Sequence, residues 1–88
     1  MMEKNGLAKL VEECGELVQV AAKKMAYMDT DAHPDGQSLR LGLEHEIADV
    51  IAACHFVRET FDLDMVAILK RAEEKHAQFS RWHLDKNA

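Results

Sequence analysis

Four acidic residues of this 88-residue chain form two pairs with the same spacing. Glu13 and Glu16 are three positions apart, and Glu46 and Asp49 repeat that separation further along the chain. Side chains three apart lie on one face of a helix, so each pair places two carboxylates side by side. If the two helices pack antiparallel with these segments level, all four carboxylates face a common cleft.

Such a cluster is costly without a counter-charge. Two unit charges about 4 Å apart repel by about 4 kcal/mol at an effective dielectric of about 20, so the group must share protons or hold a cation. Carboxylate oxygens suit a hard ion, and the sequence predicts Mg²⁺, with Mn²⁺ as a possible substitute. The ion would also bridge an acidic protein to a polyanionic nucleotide. Pairs of acids three positions apart are also common on solvated helix faces, and this interpretation of both pairs stays open.

The elements that position these acids are helices. Apolar residues recur with the helical period over most of the chain, and no strand pattern is present. Asn5 and Ser38 are the predicted N-caps of the first two helices, and a loop rich in short polar residues surrounds Pro34. We predict three helices, at about residues 5–28, 38–60 and 63–80.

Each predicted helix carries an apolar stripe. The first comprises Leu7, Val11, Cys14, Val18, Ala21, Met25 and Met28, and Leu10 and Leu17 widen it. The second comprises Leu39, Leu43, Ile47, Val50, Ile51, Cys54, Val57 and Phe61. The third comprises Met65, Val66, Leu69, Ala72, His76 and Phe79. These stripes predict an all-α fold, a three-helix antiparallel unit. Val20, Ala53 and Phe56 lie outside the stripes, so we expect two copies to pair into a larger bundle, as a homodimer or homotetramer.

Length and charge narrow the possibilities further. We predict one domain over residues 1–88, because chains divide into separate cores only at larger sizes. Eleven Lys and Arg against 16 Asp and Glu give a net charge of −5, which disfavours nucleic acid and anionic membranes as partners. Cys14 and Cys54 fall at apolar helical positions and are predicted to be buried free thiols. A reducing, cytoplasmic location is therefore expected.

The acidic motifs also resemble a known family. The segments LVEECGEL (residues 10–17) and EHEIADVI (residues 44–51) resemble the MazG-like all-α nucleoside triphosphate pyrophosphohydrolases. That superfamily includes dimeric dUTPases, dCTP pyrophosphatases and phosphoribosyl-ATP pyrophosphohydrolase. Its hallmark is E-x-x-E on one helix and E-x-x-D on the next, and the likeness extends over roughly residues 7–81.

The resemblance implies hydrolysis of a nucleoside triphosphate between its α and β phosphates, giving a monophosphate and pyrophosphate. It implies that Mg²⁺ is held by the four acids of the two motifs and that the chain forms an oligomer built from helical dimers. Glu12 and Glu13 are the expected catalytic residues, Glu12 by activating water. Lys75 and Arg81 are the expected contacts to the substrate phosphates. Many relatives hold the base with aromatic residues of a helix ahead of the motif, so the loop at His33 is a candidate for that role here.

Two other interpretations remain. A non-catalytic dimerisation or adaptor bundle would retain the fold without turnover, although the presence of all four acids disfavours it. A carboxylate-bridged di-iron bundle needs Glu-x-x-His motifs, and Glu73 with His76 supplies one per chain. The two acidic pairs would then have no histidine partners, which disfavours this second interpretation.

Overall fold

The computed structural model describes residues 5–87, and side chains for residues 5–84. It contains three helices, α1 (Leu7–Ala26), α2 (Leu39–Thr60) and α3 (Met65–Asn87). No β-strand occurs within residues 5–87, so the all-α prediction is confirmed. Residues 1–4 and 88 of the predicted single domain lie outside the described part.

The predicted helix boundaries hold to within two residues except at the end of α3. The predicted end of this helix is at about residue 80, whereas the helix continues to Asn87. The polar composition after Arg81 suggested fraying, but the segment contains neither glycine nor proline, and nothing in its backbone chemistry ends a helix there.

Local hydrogen bonds explain where the helices begin. Gly6 is the N-cap of α1 and has a positive φ of 84°, while the Asn5 side chain accepts a hydrogen bond from Leu7 N at 3.0 Å. Ser38 caps α2 as predicted, with its Oγ accepting from Leu41 N at 3.1 Å. The Asp64 side chain accepts from Ala67 N at 3.1 Å at the start of α3. Each side chain satisfies a backbone donor that the first helical turn leaves free.

Asp31 fastens the connection between α1 and α2. Its carboxylate accepts hydrogen bonds from Ser38 Oγ at 2.6 Å and from Arg40 N at 2.7 Å. These two hydrogen bonds, the Ser38 bond first, hold the pKa of Asp31 below its ordinary value. The connection is therefore tied directly to the first turn of α2.

Helices α1 and α2 pack along their length as an antiparallel hairpin with a well-defined register. At one end Gly6 meets Phe56 and Val57, and at the other Val20 Cγ1 lies within van der Waals reach of Gly42. Glu13 and Asp49 fall level between these ends, on the wall of one shared pocket. The hairpin thus places the two acidic motifs opposite each other.

The face of α1 that meets α2 is the edge of the predicted stripe, where Leu10 and Leu17 lie, and not its centre. Leu10, Leu17 and Val20 are half-buried against α2, whereas Val11, in the stripe, is 73% exposed. On α2 the buried residues are Leu39, Ala53 and Val57, so Ala53, which lies outside the predicted stripe, is buried within the single chain without a second copy. Gly42 and Ala53 of α2 have small side chains, which allow α1 to approach closely. The close approach favours the face of α1 that carries Val20.

The remaining apolar residues of the two predicted stripes lie on one side of the hairpin. On both helices these residues follow the contact residues by one position, which is a rotation of about 100° in the same sense. Because the two helices run in opposite directions, this rotation brings both sets to the same side of the hairpin. We call this surface the apolar side; it comprises Leu7, Val11, Cys14, Val18 and Met25 of α1, Ile47, Ile51 and Cys54 of α2, and Phe61 at the C-cap of α2, all exposed. The prediction that Cys14 and Cys54 are buried is therefore wrong for the single chain, although both are free thiols.

Helix α3 does not close a three-helix bundle within one chain. Extensive helix–helix contact occurs only between α1 and α2 in the described part, and no residue of α3 with a described side chain is buried. The radius of gyration is 15.9 Å, whereas a compact domain of this length has about 12 Å. The predicted three-helix antiparallel unit is therefore wrong for the single chain. The described part forms a two-helix hairpin, and α3 makes little contact with it and exposes its own apolar residues.

Among the described residues, no helix has the length and apolarity needed to cross a membrane.

The cap at Ser38 provides a stability test. Replacing Ser38 with alanine removes the acceptor for Leu41 N and the donor to Asp31, so we expect a loss of about 1 kcal/mol in the free energy of unfolding. That loss corresponds to a melting temperature lower by about 4–8 °C for a domain of this size. Thermal unfolding followed by circular dichroism measures it. Ser80→Ala, on the exposed surface of α3, is the control, and equal melting of the two variants would contradict the role of the cap.

Candidate metal centre

The hairpin brings the four predicted acidic ligands together. Glu13 and Glu16 of α1 and Glu46 and Asp49 of α2 each offer one oxygen, and these oxygens lie within 4.8 Å of one another. The convergence predicted from the equal spacing of the two motifs is therefore present in the structure. We call this group the acidic centre.

Two oxygens of the acidic centre are buried without a partner. Glu13 Oε2 and Glu46 Oε2 are inaccessible to solvent and accept no hydrogen bond within the described residues. The Glu13 side chain is only 12% exposed. A buried carboxylate oxygen without a donor is destabilising, so a cation bound by Glu13 and Glu46 would stabilise the folded chain.

The electrostatics of Glu13 are consistent with this imbalance. Desolvation by burial raises the pKa of Glu13 above its ordinary value, and the nearby Glu16 and Asp49 carboxylates raise it further. Lys9 acts in the opposite direction, with its Nζ 3.8 Å from Glu13 Oε1. A single exposed ammonium does not compensate the whole group, because it also pairs with Glu12.

The donor set fits a divalent hard cation. All four side chains offer oxygen, which is the ligand that Mg²⁺ and Mn²⁺ prefer, and no histidine or cysteine belongs to the group. Exposed acidic groups are common without an ion, but the two unpartnered oxygens set this group apart from an ordinary solvated face. Glu13, Glu16, Glu46 and Asp49 are thus the residues able to hold a metal.

Glu12, the residue expected to activate water, lies at the edge of the acidic centre. Its carboxylate is exposed and accepts a hydrogen bond from Lys9 Nζ at 3.4 Å. It does not belong to the group of four oxygens. Glu12 directly precedes Glu13 in the chain, and its side chain is accessible to water.

The expected phosphate contacts are not brought to the acidic centre within one chain. Lys75 and Arg81 lie on α3, which makes little contact with the hairpin. Lys75 Nζ donates to Gln78 Oε1 at 3.2 Å, and Arg81 is exposed. Their role at the substrate phosphates stays a prediction. Glu73 and His76, of the di-iron interpretation, lie on the same separate helix.

The loop at His33 lies at the end of the hairpin where α1 and α2 are connected. His33 Nδ1 accepts from Asp35 N at 3.2 Å, and its ring packs edge-on against Tyr27 with centroids 5.2 Å apart. These contacts hold the loop in its own conformation. A role of His33 in base binding stays a prediction.

Sequence reasoning missed one feature, an open pocket beside the acidic centre. Its volume is about 360 Å³, and it is lined by Lys9, Glu13, Asp49, Ala52, Ala53 and Phe56. Lys9 precedes Glu13 by one helical turn, and Phe56 follows Asp49 by two, so helical spacing places them on the same side. The pocket was hidden in the sequence because its position depends on the register between the two helices.

Comparison of the chain with protein-family models, with curated proteins and with solved structures finds no significant match. The resemblance to MazG-like enzymes therefore stays a prediction from the two acidic motifs.

The raised pKa of Glu13 leads to a test of the acidic centre without metal. The folded chain holds this proton more tightly than the unfolded chain, so stability from protonated Glu13 is complete below about pH 4.5 and is lost as the pH rises through the higher folded pKa. In EDTA, the melting temperature of Glu13→Gln should therefore fall less than that of the parent over this interval. Thermal melts at a series of pH values measure the difference.

The control for this test is Glu74→Gln, which removes a charge from the exposed surface of α3. It should retain the pH dependence of the parent. A Glu13→Gln variant whose melting temperature follows the parent at every pH would contradict the electrostatic account of the acidic centre.

Proposed function

We propose that this protein is a Mg²⁺-dependent nucleoside triphosphate pyrophosphohydrolase of the MazG-like type, cleaving between the α and β phosphates. The products are a nucleoside monophosphate and pyrophosphate. The observation that carries the proposal is the convergence of four carboxylates from two helices with two of their oxygens buried and unpartnered. The two motifs that supply those carboxylates are the ones that resemble the family.

The four carboxylates would hold the ion, and the ion when bound would polarise phosphate oxygens and increase the acidity of water. In this proposal Glu12 accepts a proton from the attacking water. The water oxygen adds to phosphorus while the bond joining the α and β phosphates breaks, and no covalent enzyme intermediate forms. The exposure of Glu12 supports this role, because a general base needs access to the water it deprotonates.

We further propose that the protein functions as a homo-oligomer, a dimer or a tetramer. A compact monomer of this mass exposes about 5,200 Å², whereas the single chain exposes 7257 Å². The excess of about 2,000 Å² per chain is comparable with the surface buried by each subunit of an obligate homodimer. Much of it is available on the apolar side of the hairpin and on α3, and a second copy offers the matching apolar surface.

In such an assembly the α3 helices are free to pack against a neighbouring hairpin. We propose that Lys75 and Arg81 meet the substrate phosphates there, since the α3 of the same chain makes little contact with the hairpin. The apolar side lies across the hairpin from the pocket beside the acidic centre, so pairing of two copies through it leaves that pocket accessible.

Loss of one ligand provides the direct test of the activity. Glu46→Gln should abolish calorimetric uptake of Mn²⁺ and lower Mg²⁺-dependent pyrophosphate release by about 100-fold or more, because even an outer contact to a metal ligand contributes about 10–100-fold. The matched control is Glu44→Gln, two residues earlier on α2, where the carboxylate is exposed and paired with Arg40 at 3.4 Å. The measurement is a screen of common and modified nucleoside triphosphates that detects monophosphate and pyrophosphate.

The same screen separates the alternatives. Unchanged turnover in Glu46→Gln would remove this residue from the site. Orthophosphate and a nucleoside diphosphate as products would contradict cleavage between the α and β phosphates. No turnover of any nucleotide would favour the non-catalytic adaptor, an interpretation for which the exposed apolar side provides the interaction surface.

The oligomer is tested by sedimentation. The parent should sediment as a dimer or larger species, and Ile51→Glu should shift it toward monomer, because a charge on the apolar side would be buried unpaired when two copies meet there. Leu41→Glu is the matched control, since Leu41 is also exposed on α2 but points away from the apolar side. A monomeric parent at micromolar concentration would contradict the assembly.

A further inference from the structure

The open pocket beside the acidic centre shares two of its walls with that centre. Glu13 and Asp49 contribute to both, so a molecule in the pocket touches two of the carboxylates able to hold a metal. From these two carboxylates the pocket extends by one to two helical turns, toward the start of α1 and the end of α2. A volume of about 360 Å³ falls within the usual range for small-molecule sites.

The side of the pocket away from the carboxylates is apolar. Ala53 is buried in the contact with α1, and Ala52 is exposed beside it. Their short side chains leave the room that a longer residue at either position would fill. Phe56 completes this side and is 53% exposed, so a large part of its ring is available to a ligand.

Gly6 determines where the Phe56 ring lies. A Cβ at this position would be 2.5 Å from Phe56 Cδ1, and the φ of 84° is one that residues with side chains rarely adopt. The missing side chain allows the ring to rest against the first turn of α1. Phe56 is therefore supported on one edge while remaining open to the pocket.

Lys9 provides a cation between the apolar part of the pocket and the acidic centre. Its Nζ lies 3.4 Å from Glu12 Oε2 and 3.8 Å from Glu13 Oε1. The hydrogen bond that Lys9 Nζ donates to Glu12, together with the surrounding carboxylates, raises the pKa of Lys9 above its ordinary value. Its long side chain is exposed and free to turn from these carboxylates toward a phosphate.

We propose that this pocket binds the nucleoside part of the substrate, with the base stacked on Phe56 above Ala52 and Ala53 and with Lys9 contacting the adjacent phosphate. The inference rests on the proposed function, because it requires the phosphates to lie at the acidic centre. Aromatic stacking accepts every base, and the apolar residues here carry no side-chain hydrogen-bonding group to read a base edge. The substrate class is therefore nucleoside triphosphates with limited preference among the bases.

Binding of the reaction product tests the pocket without requiring turnover. The probes are AMP and CMP, with ribose 5-phosphate as a ligand that lacks a base, and binding to the full chain is measured by saturation-transfer NMR and titration in Mg²⁺. Phe56→Leu retains bulk but removes the aromatic ring, and it should weaken AMP binding about tenfold. Ala52→Leu fills the exposed part of the pocket and should weaken AMP and CMP alike.

Phe79→Leu is the matched control, because Phe79 has the same 53% exposure but lies on α3. It should bind AMP as the parent does, and circular dichroism checks that all three variants are folded. In turnover assays Phe56→Leu should raise KM about tenfold with little change in kcat, since the ring contacts the base and not the reacting phosphorus.

The outcomes separate the pocket from the proposed activity. Binding of AMP that depends on Phe56 supports the pocket even if no triphosphate is hydrolysed, in which case only the proposed function fails. Hydrolysis that Phe56→Leu and Ala52→Leu leave unchanged overturns the pocket while the activity stands. Equal binding of ribose 5-phosphate and AMP, or no binding of AMP, also overturns it.

Discussion

Repulsion between carboxylates held inside a helix–helix contact is the constraint on which this structure depends. Glu13 and Glu46 occupy positions in the α1–α2 contact where a small hairpin would ordinarily place apolar residues, and each leaves one oxygen buried without a donor. A domain of this size has few buried apolar residues to offset that cost, since only Leu39, Ala53 and Val57 are buried among the described side chains. A bound cation would offset the repulsion and the burial cost of these carboxylates, and this is the physical basis of the proposed metal dependence.

The antiparallel register then divides the hairpin into two chemically different sides. Rotation in the same sense from the contact line takes α1 and α2 either to their exposed apolar residues or to the carboxylates and the pocket. The proposed metal site and the proposed assembly surface therefore lie on opposite sides of the hairpin, so pairing through the apolar side would leave the acidic centre uncovered. The apolar side of the hairpin and α3 both expose apolar residues in the single chain, because α3 makes little contact with the hairpin.

Much of the fold was accessible from the sequence because it depends on local rules. The helical period located all three helices, Ser38 was identified as a cap by its residue type, and the equal spacing of the two acidic pairs predicted that they would meet. The inward face of α1 was not predictable in this way. A stripe shows that a helix is amphipathic but not which neighbour covers it, and here the small residues Gly42 and Ala53 decided the contact. The detachment of α3 was missed for the same reason, since its stripe predicted a partner within the chain.

The level alignment of the two motifs has a consequence for how the chain tolerates changes in length. The acidic centre lies midway along the hairpin, so residues gained or lost in the solvent-exposed connection would lengthen or shorten the bend without altering which carboxylates meet. A single residue inserted within α1 between Glu13 and Glu16 would instead turn the following part of the helix by about 100° and separate Glu16 from the other three. Natural variation in this protein should therefore accumulate as insertions at the bend, while the spacing inside each helix stays fixed.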